Sequence, residues 1–161
     1  MNIYKNFLNK EDFKKIEYII MSDSMPWFFS DGVNKKNNKD FQFTYNFINE
    51  GGVINCSSDM INLLNPFKSK LNIKKFYKVK ANLLLKDDKI KEHGMHIDNA
   101  LKKGKTGVFY LNTCNGYTKF EDGSSVPSVA NRMILFDPFK LHCSTNTTDD
   151  FRRVNINFNY F

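Results

Sequence analysis

From residue 75 to residue 161, no β-favouring stretch runs beyond about ten residues before a cluster of turn-forming residues breaks it. The strands expected from this pattern are Phe76–Leu85, Met95–Asp98, Gly107–Asn112, Tyr117–Phe120, Val126–Ala130, Arg132–Phe136, Leu141–Thr145 and Arg153–Tyr160. Between them lie Asp87-Asp88, Lys103-Gly104, Asn115-Gly116, Asp122-Gly123, Asp137-Pro138 and Thr147-Thr148-Asp149-Asp150. These residues favour turns because Gly tolerates positive φ, Pro fixes φ, and Asn, Asp and Thr bond to nearby backbone. Eight short strands at this spacing predict a jelly roll or barrel. The 16 phenylalanines supply bulky side chains of the kind that pack well on pleated sheets.

The first 74 residues read differently. Asn9 can cap a helix reaching Met21, with Glu11 and Asp12 at its positive end and Phe13, Ile16 and Ile20 along one face. Pro26 ends any continuation. Phe41, Phe43, Tyr45 and Phe47 alternate with Gln42, Thr44 and Asn46, the period of a half-buried strand. Ser57 or Ser58 can start a second helix, which Pro66 must kink or split. The expected architecture is mainly β with flanking helices (α+β), in one domain over residues 1–161. Residues 1–74 carry the helices and a supporting strand, and residues 75–161 carry the β core.

Composition narrows the function classes without choosing one. A net charge of +7 fits a solvated lysine surface or attraction to an anionic partner such as nucleic acid. The lysines are scattered, with no arginine-rich stripe. Three cysteines without paired spacing argue against a disulfide framework or zinc cluster and point to a reducing, cytoplasmic setting. Residues 1–5 lack the apolar core of a signal peptide, and no apolar run reaches the ~20 residues of a membrane helix. A soluble protein is expected, with monomer and weak dimer both open.

Chemistry concentrates in Met95-His96-Ile97-Asp98. On a strand, His96 and Asp98 project from one face, so an imidazole and a carboxylate can take adjacent positions on one metal. His142, in a later expected strand, can supply the third ligand. Two histidines and one carboxylate leave open positions on a ferrous ion for an oxidant and a co-substrate. In the terminal strand, alternation puts Arg153, Asn155, Asn157 and Asn159 on one face and Arg152, Val154, Ile156 and Phe158 on the other. The polar face suits either solvent or a wet barrel interior where an arginine pairs with a carboxylate. The strand by itself leaves both readings open.

Taken in order, these segments resemble the Fe(II)/2-oxoglutarate-dependent dioxygenases, in the prolyl-4-hydroxylase-like branch. Residues 7–12 look like the opening helix, Lys80-Ala81-Asn82-Leu83 like the first core strand, and His96-Ile97-Asp98 like the iron dyad. Tyr110-Leu111-Asn112 and Gly116-Tyr117-Thr118-Lys119-Phe120 are similar to the family's Tyr-Leu-Asn and Gly-Gly-X-Thr-X-Phe segments, with Asn115 where the first glycine would stand. Asn131–Phe136 resembles the strand before the distal histidine, His142, and Arg153 follows eleven residues later. The resemblance implies a double-stranded β-helix (jelly roll, cupin-like) binding Fe(II), 2-oxoglutarate and O2, with ascorbate as an auxiliary reductant. It assigns iron to His96, Asp98 and His142. Arg153 would take the distal carboxylate of 2-oxoglutarate, the Tyr110 hydroxyl would share it, and Asn82 and Asn157 would line the pocket. Arg152 is the alternative anchor, less favoured because its face looks like core.

The implied reaction is hydroxylation of a C–H bond in a peptide (prolyl included) or small-molecule substrate, with release of succinate and CO2. Two alternatives stand beside it: demethylation of nucleic acid by the same chemistry, and a non-catalytic jelly-roll binding module. Substrate choice is expected in loops around residues 46–58, 87–94 and 121–126. His93 reads as a loop residue with access to the substrate mouth, Cys143 as packing, and Trp27 as core or substrate rim.

Overall fold

The structure, a computed structural model, describes residues 1–33, 40–98 and 104–161. The Lys103 end of the expected Lys103-Gly104 turn lies outside the described residues. Among the described residues, eleven strands and three α-helices follow in the order β1 (Asn2–Tyr4), α1 (Lys10–Ile20), β2 (Phe28–Ser30), β3 (Gln42–Asn49), β4 (Val53–Ile54), α2 (Ser58–Asn62), α3 (Asn65–Lys70), β5 (Phe76–Leu85), β6 (Lys105–Tyr110), β7 (Tyr117–Phe120), β8 (Ser125–Pro127), β9 (Arg132–Phe136), β10 (His142–Ser144) and β11 (Arg152–Tyr160). A large antiparallel sheet runs β1-β9-β6-β11-β5-β3-β2, with β4 paired to β3, and a small sheet runs β10-β7-β8. No described helix is long and apolar enough to cross a membrane.

Strand alternation gives the large sheet two unlike faces. Val79, Ala81, Val154, Ile156, Phe158 and Phe109 point to one side, where Phe13, Ile16 and Ile20 of α1 and Phe67 of α3 cover them. Each Val, Ile or Phe among them, buried from water, contributes roughly 1.5–3 kcal/mol. The helices form where the sequence indicates. Asn9 accepts from the Asp12 amide at 2.9 Å and caps α1. Ser57 caps α2, and Pro66 sits in the first turn of α3, where its missing N–H costs nothing.

The other face of the large sheet looks towards the small sheet. Val108, Tyr110, Phe120, Val126, Ile134 and Phe136 fill one end of the space between them. The remaining end is polar and holds the site. This is the jelly roll expected from strand spacing, in the double-stranded β-helix form that the resemblance implies.

One expected strand is corrected. Met95–Asp98 makes a single bridge, His96 to His142, rather than a ladder. The His96 ring bonds back to the Gly94 carbonyl at 3.3 Å, and such local side-chain-to-backbone bonds compete with regular pairing. The segment still lies along β10, because the His93 amide donates to the Ser144 carbonyl at 2.9 Å.

Candidate active site

His96, Asp98 and His142 converge. Their ligand atoms lie within 4.8 Å of one another. Nε2 of His96 and Nε2 of His142 each stand 3.8 Å from Asp98 Oδ1. The paired backbones of His96 and His142, joined by bonds of 2.9 and 3.0 Å, fix this approach. The ring centroids are 4.6 Å apart.

Both imidazoles turn Nε2 towards Asp98. Nδ1 of His142 lies 2.9 Å from the Lys140 carbonyl, and Nδ1 of His96 lies 3.3 Å from the Gly94 carbonyl. A carbonyl only accepts, so each Nδ1 carries the proton and each Nε2 offers its lone pair. Burial, then the neighbouring His142, lowers the pKa of His96 and keeps that lone pair free near neutrality. Asp98 is held from behind: its Oδ2 accepts from Asn157 at 2.8 Å and Asn159 at 3.4 Å, leaving Oδ1 turned to the histidines. Donors about 2.1 Å from a shared ion at right angles sit about 3 Å apart, so small side-chain rotations bring the three onto one ion. The donor set fits ferrous iron.

Deeper between the sheets lies Arg153, with 0% of its surface exposed. Asn112 sets its direction by accepting from the Val154 amide at 2.9 Å and donating to the Arg152 carbonyl at 2.7 Å. The backbone on both sides of Arg153 is thereby clamped. Its guanidinium donates to Ser144 Oγ at 2.5 Å, the Thr145 carbonyl at 3.0 Å and Thr118 Oγ1 at 3.3 Å, and stands 5.4 Å from the Tyr110 ring centroid. Its Nε is buried without an acceptor. Among the described residues no carboxylate pairs with it, and residues 34–39 and 99–103 contain no Asp or Glu. A buried cation without a counter-charge is costly, and an anionic ligand would offset that cost. Gly116 makes room for it: a Cβ there would stand 2.5 Å from Arg153 Cδ and 2.4 Å from the Asn146 carbonyl oxygen. Asn115 instead ties this loop to Thr147, Thr148 and Asp149.

The other sequence candidates fall into varied positions. Tyr110 is fully buried, and its hydroxyl donates to Thr118 Oγ1 at 2.8 Å, which places it behind Thr118. Asn82 donates to Asn155 at 3.0 Å and lines the pocket with it. Asn157 faces Asp98. Arg152 lies on the helix side and donates to the Met21 carbonyl at 2.7 Å. His93 is buried instead of sitting at a mouth, with Nδ1 3.1 Å from Asp40. Trp27 packs against the main core.

Sequence reasoning passed over three pocket residues. Ser144 and Thr118 bond to Arg153, and Lys80 lines the polar pocket and an adjoining open cavity of about 710 Å³. Lys80 stands two residues before Asn82 on the same strand, so the two-residue period could have found it. Burial, then the nearby Lys78, lowers its pKa to about 8.

No family model matches the chain, and no curated protein matches it in sequence. Solved structures do share its fold. A 2OG-Fe(II) oxygenase family oxidoreductase from Burkholderia pseudomallei has a TM-score of 0.72 at 13% identity, covering 97% of this chain and 81% of that one. A Trichoplax adhaerens prolyl hydroxylase, solved with a hypoxia inducible factor peptide fragment, gives 0.65 at 17%, covering 99% and 82%. A Pseudomonas putida prolyl-4-hydroxylase gives 0.62 at 13%, covering 99% and 91%. The chain therefore has the double-stranded β-helix fold of the 2-oxoglutarate/Fe(II) oxygenases. That fold is the form seen in prolyl hydroxylases.

Proposed function

We propose that this protein is a non-haem Fe(II)- and 2-oxoglutarate-dependent dioxygenase that hydroxylates a C–H bond of a peptide or small-molecule substrate. The observation that carries the reading is the meeting of His96, Asp98 and His142 at one point, with the unpaired Arg153 buried further in. Fold alone does not imply activity; the convergent ligand set and the buried cation inside that fold support this chemistry.

His96, Asp98 and His142 would hold the iron. Asn157 and Asn159 fix the carboxylate, while the Gly94 and Lys140 carbonyls fix the imidazole tautomers. Arg153 would receive the far carboxylate of 2-oxoglutarate, with the Thr118 and Ser144 hydroxyls beside it. Tyr110 would act through Thr118. Asn82 and Asn155 would give the co-substrate a polar wall. When bound, iron and 2-oxoglutarate supply oxygen activation coupled to decarboxylation, yielding succinate and CO2. The protein's contribution is to position the reactants and to limit water access. The peptide bound to the Trichoplax prolyl hydroxylase supports a peptide as one substrate class.

The test is turnover under air with Fe(II), 2-oxoglutarate, ascorbate and panels of prolyl peptides and small metabolites. Succinate should form in step with 2-oxoglutarate loss, and Asp98→Ala should abolish it. Absence of succinate from the wild type across these panels would count against the proposal.

A further inference from the structure

Lys80 is a cation that the chemistry above does not use. It sits mid-strand in β5, opposite Asn46 of β3 and Asn157 of β11. It lines both the polar pocket holding the metal ligands and the open cavity outside it. Its neighbour Lys78 is answered by Glu50 at 2.8 Å. Lys80 makes no ion pair among the described residues, and residues 34–39 and 99–103 offer no acid. The far carboxylate of 2-oxoglutarate is already provided for by Arg153, deeper in the fold. Iron on Asp98 would also draw off the negative charge nearest to Lys80.

We infer that Lys80 anchors a carboxylate of the primary substrate, which makes that substrate a carboxylic acid, such as an amino acid free or at the end of a peptide. This rests on the oxygenase reading. Two further features of the cavity agree with it. Met95, Ile97, Phe139 and Leu141 line it while 37–49% exposed, a wall suited to an apolar substrate body. The amide oxygens of Asn46 and Asn157, flanking Lys80 on both sides, are buried without a donor. A substrate N–H next to the carboxylate would satisfy one of them. A lysine suits this place because its ammonium is a compact charge on a flexible stem, able to reach anions of different shape.

Calorimetry can test this on the whole chain, anaerobically, with Mn(II) in place of iron and saturating 2-oxoglutarate. The ligands are free and N-acetylated L-amino acids, each beside its own carboxamide. At least one acid should bind, with its carboxamide at least about tenfold weaker. Lys80→Met should erase that difference and leave 2-oxoglutarate affinity within about threefold, while Lys80→Arg should retain part of the preference. A free acid preferred over its N-acetyl form indicates an amino acid, and the reverse order indicates a chain end. The inference is overturned if Mn(II) and 2-oxoglutarate bind but no acid does, if acids and carboxamides bind alike, or if Lys80→Met mainly weakens 2-oxoglutarate. If neither Mn(II) nor 2-oxoglutarate binds the wild type, the oxygenase reading fails and takes this inference with it.

Discussion

Replacing Arg153 by methionine separates the cost of a buried charge from its use. Without ligand, two effects oppose each other. Removing an unpaired, fully buried guanidinium relieves a desolvation penalty of several kcal/mol. It also strips donors from the Ser144 and Thr118 hydroxyls and the Thr145 carbonyl, at about 1–3 kcal/mol for each group left unsatisfied. Methionine fills much of the volume and adapts to the gap. The net change in unliganded stability is therefore expected within about 2 kcal/mol of zero. Binding has no such compensation. Loss of a buried, hydrogen-bonded charge partner costs about 2–5 kcal/mol, so 2-oxoglutarate affinity should fall at least about 30-fold. Anaerobic calorimetry with Mn(II) gives the affinity, and urea unfolding gives the stability. Arg152→Met, on the helix side, should leave 2-oxoglutarate affinity unchanged. The reasoning is refuted if Arg153→Met binds 2-oxoglutarate normally, or if its unliganded form loses well over 3 kcal/mol, which would make the arginine a structural strut.

Gly116→Ala should destabilise the protein by about 1–3 kcal/mol in chemical denaturation, because the new Cβ meets the Asn146 carbonyl and Arg153 at under 3 Å. Asn157→Leu should weaken metal binding about 10- to 100-fold by freeing the Asp98 carboxylate, whereas His93→Phe should leave metal affinity unchanged. The pKa of Lys80 is depressed in the folded state, so the unfolded chain holds more protons between pH about 8 and 10.5 and stability rises with pH there. At about 1.4 kcal/mol per pH unit, wild type should gain up to about 3 kcal/mol over Lys80→Met across that window, read from paired unfolding curves.

Strands closed off by turn-forming residues were the most legible part of the sequence. β5, β7 and β9 fall where their patterns put them, each flanked by residues that favour turns. The face assignment in β11 also holds: Val154, Ile156 and Phe158 join the helix-side core, while Asn155 and Asn157 line the pocket. β1, β2 and β4 have three residues or fewer, too short for a period to show. The expected Val126–Ala130 strand shortens to Ser125–Pro127: the Ser128 amide still bonds the Gly116 carbonyl in register, but the chain then turns, with the Arg132 amide on the Val129 carbonyl and Asn131 at positive φ. His96 and Asp98 converge although their segment is not a regular strand, because pairing with His142 sets the geometry. Roles that depend on cross-strand neighbours were hidden. Tyr110 reaches Thr118 only through the packing of the two sheets, and Asn157 reaches Asp98 only because the His96–His142 bridge holds that segment over the pocket. The clamp of Asn112 around Arg153 likewise needs β6 and β11 side by side.

An anaerobic crystal structure with Mn(II) and 2-oxoglutarate probes the central claim most directly. One ion should sit on Nε2 of His96, Nε2 of His142 and the Asp98 carboxylate, with the dicarboxylate reaching inward to the Arg153 guanidinium. An ion bound elsewhere, or a 2-oxoglutarate that leaves Arg153 unpaired, would contradict the account.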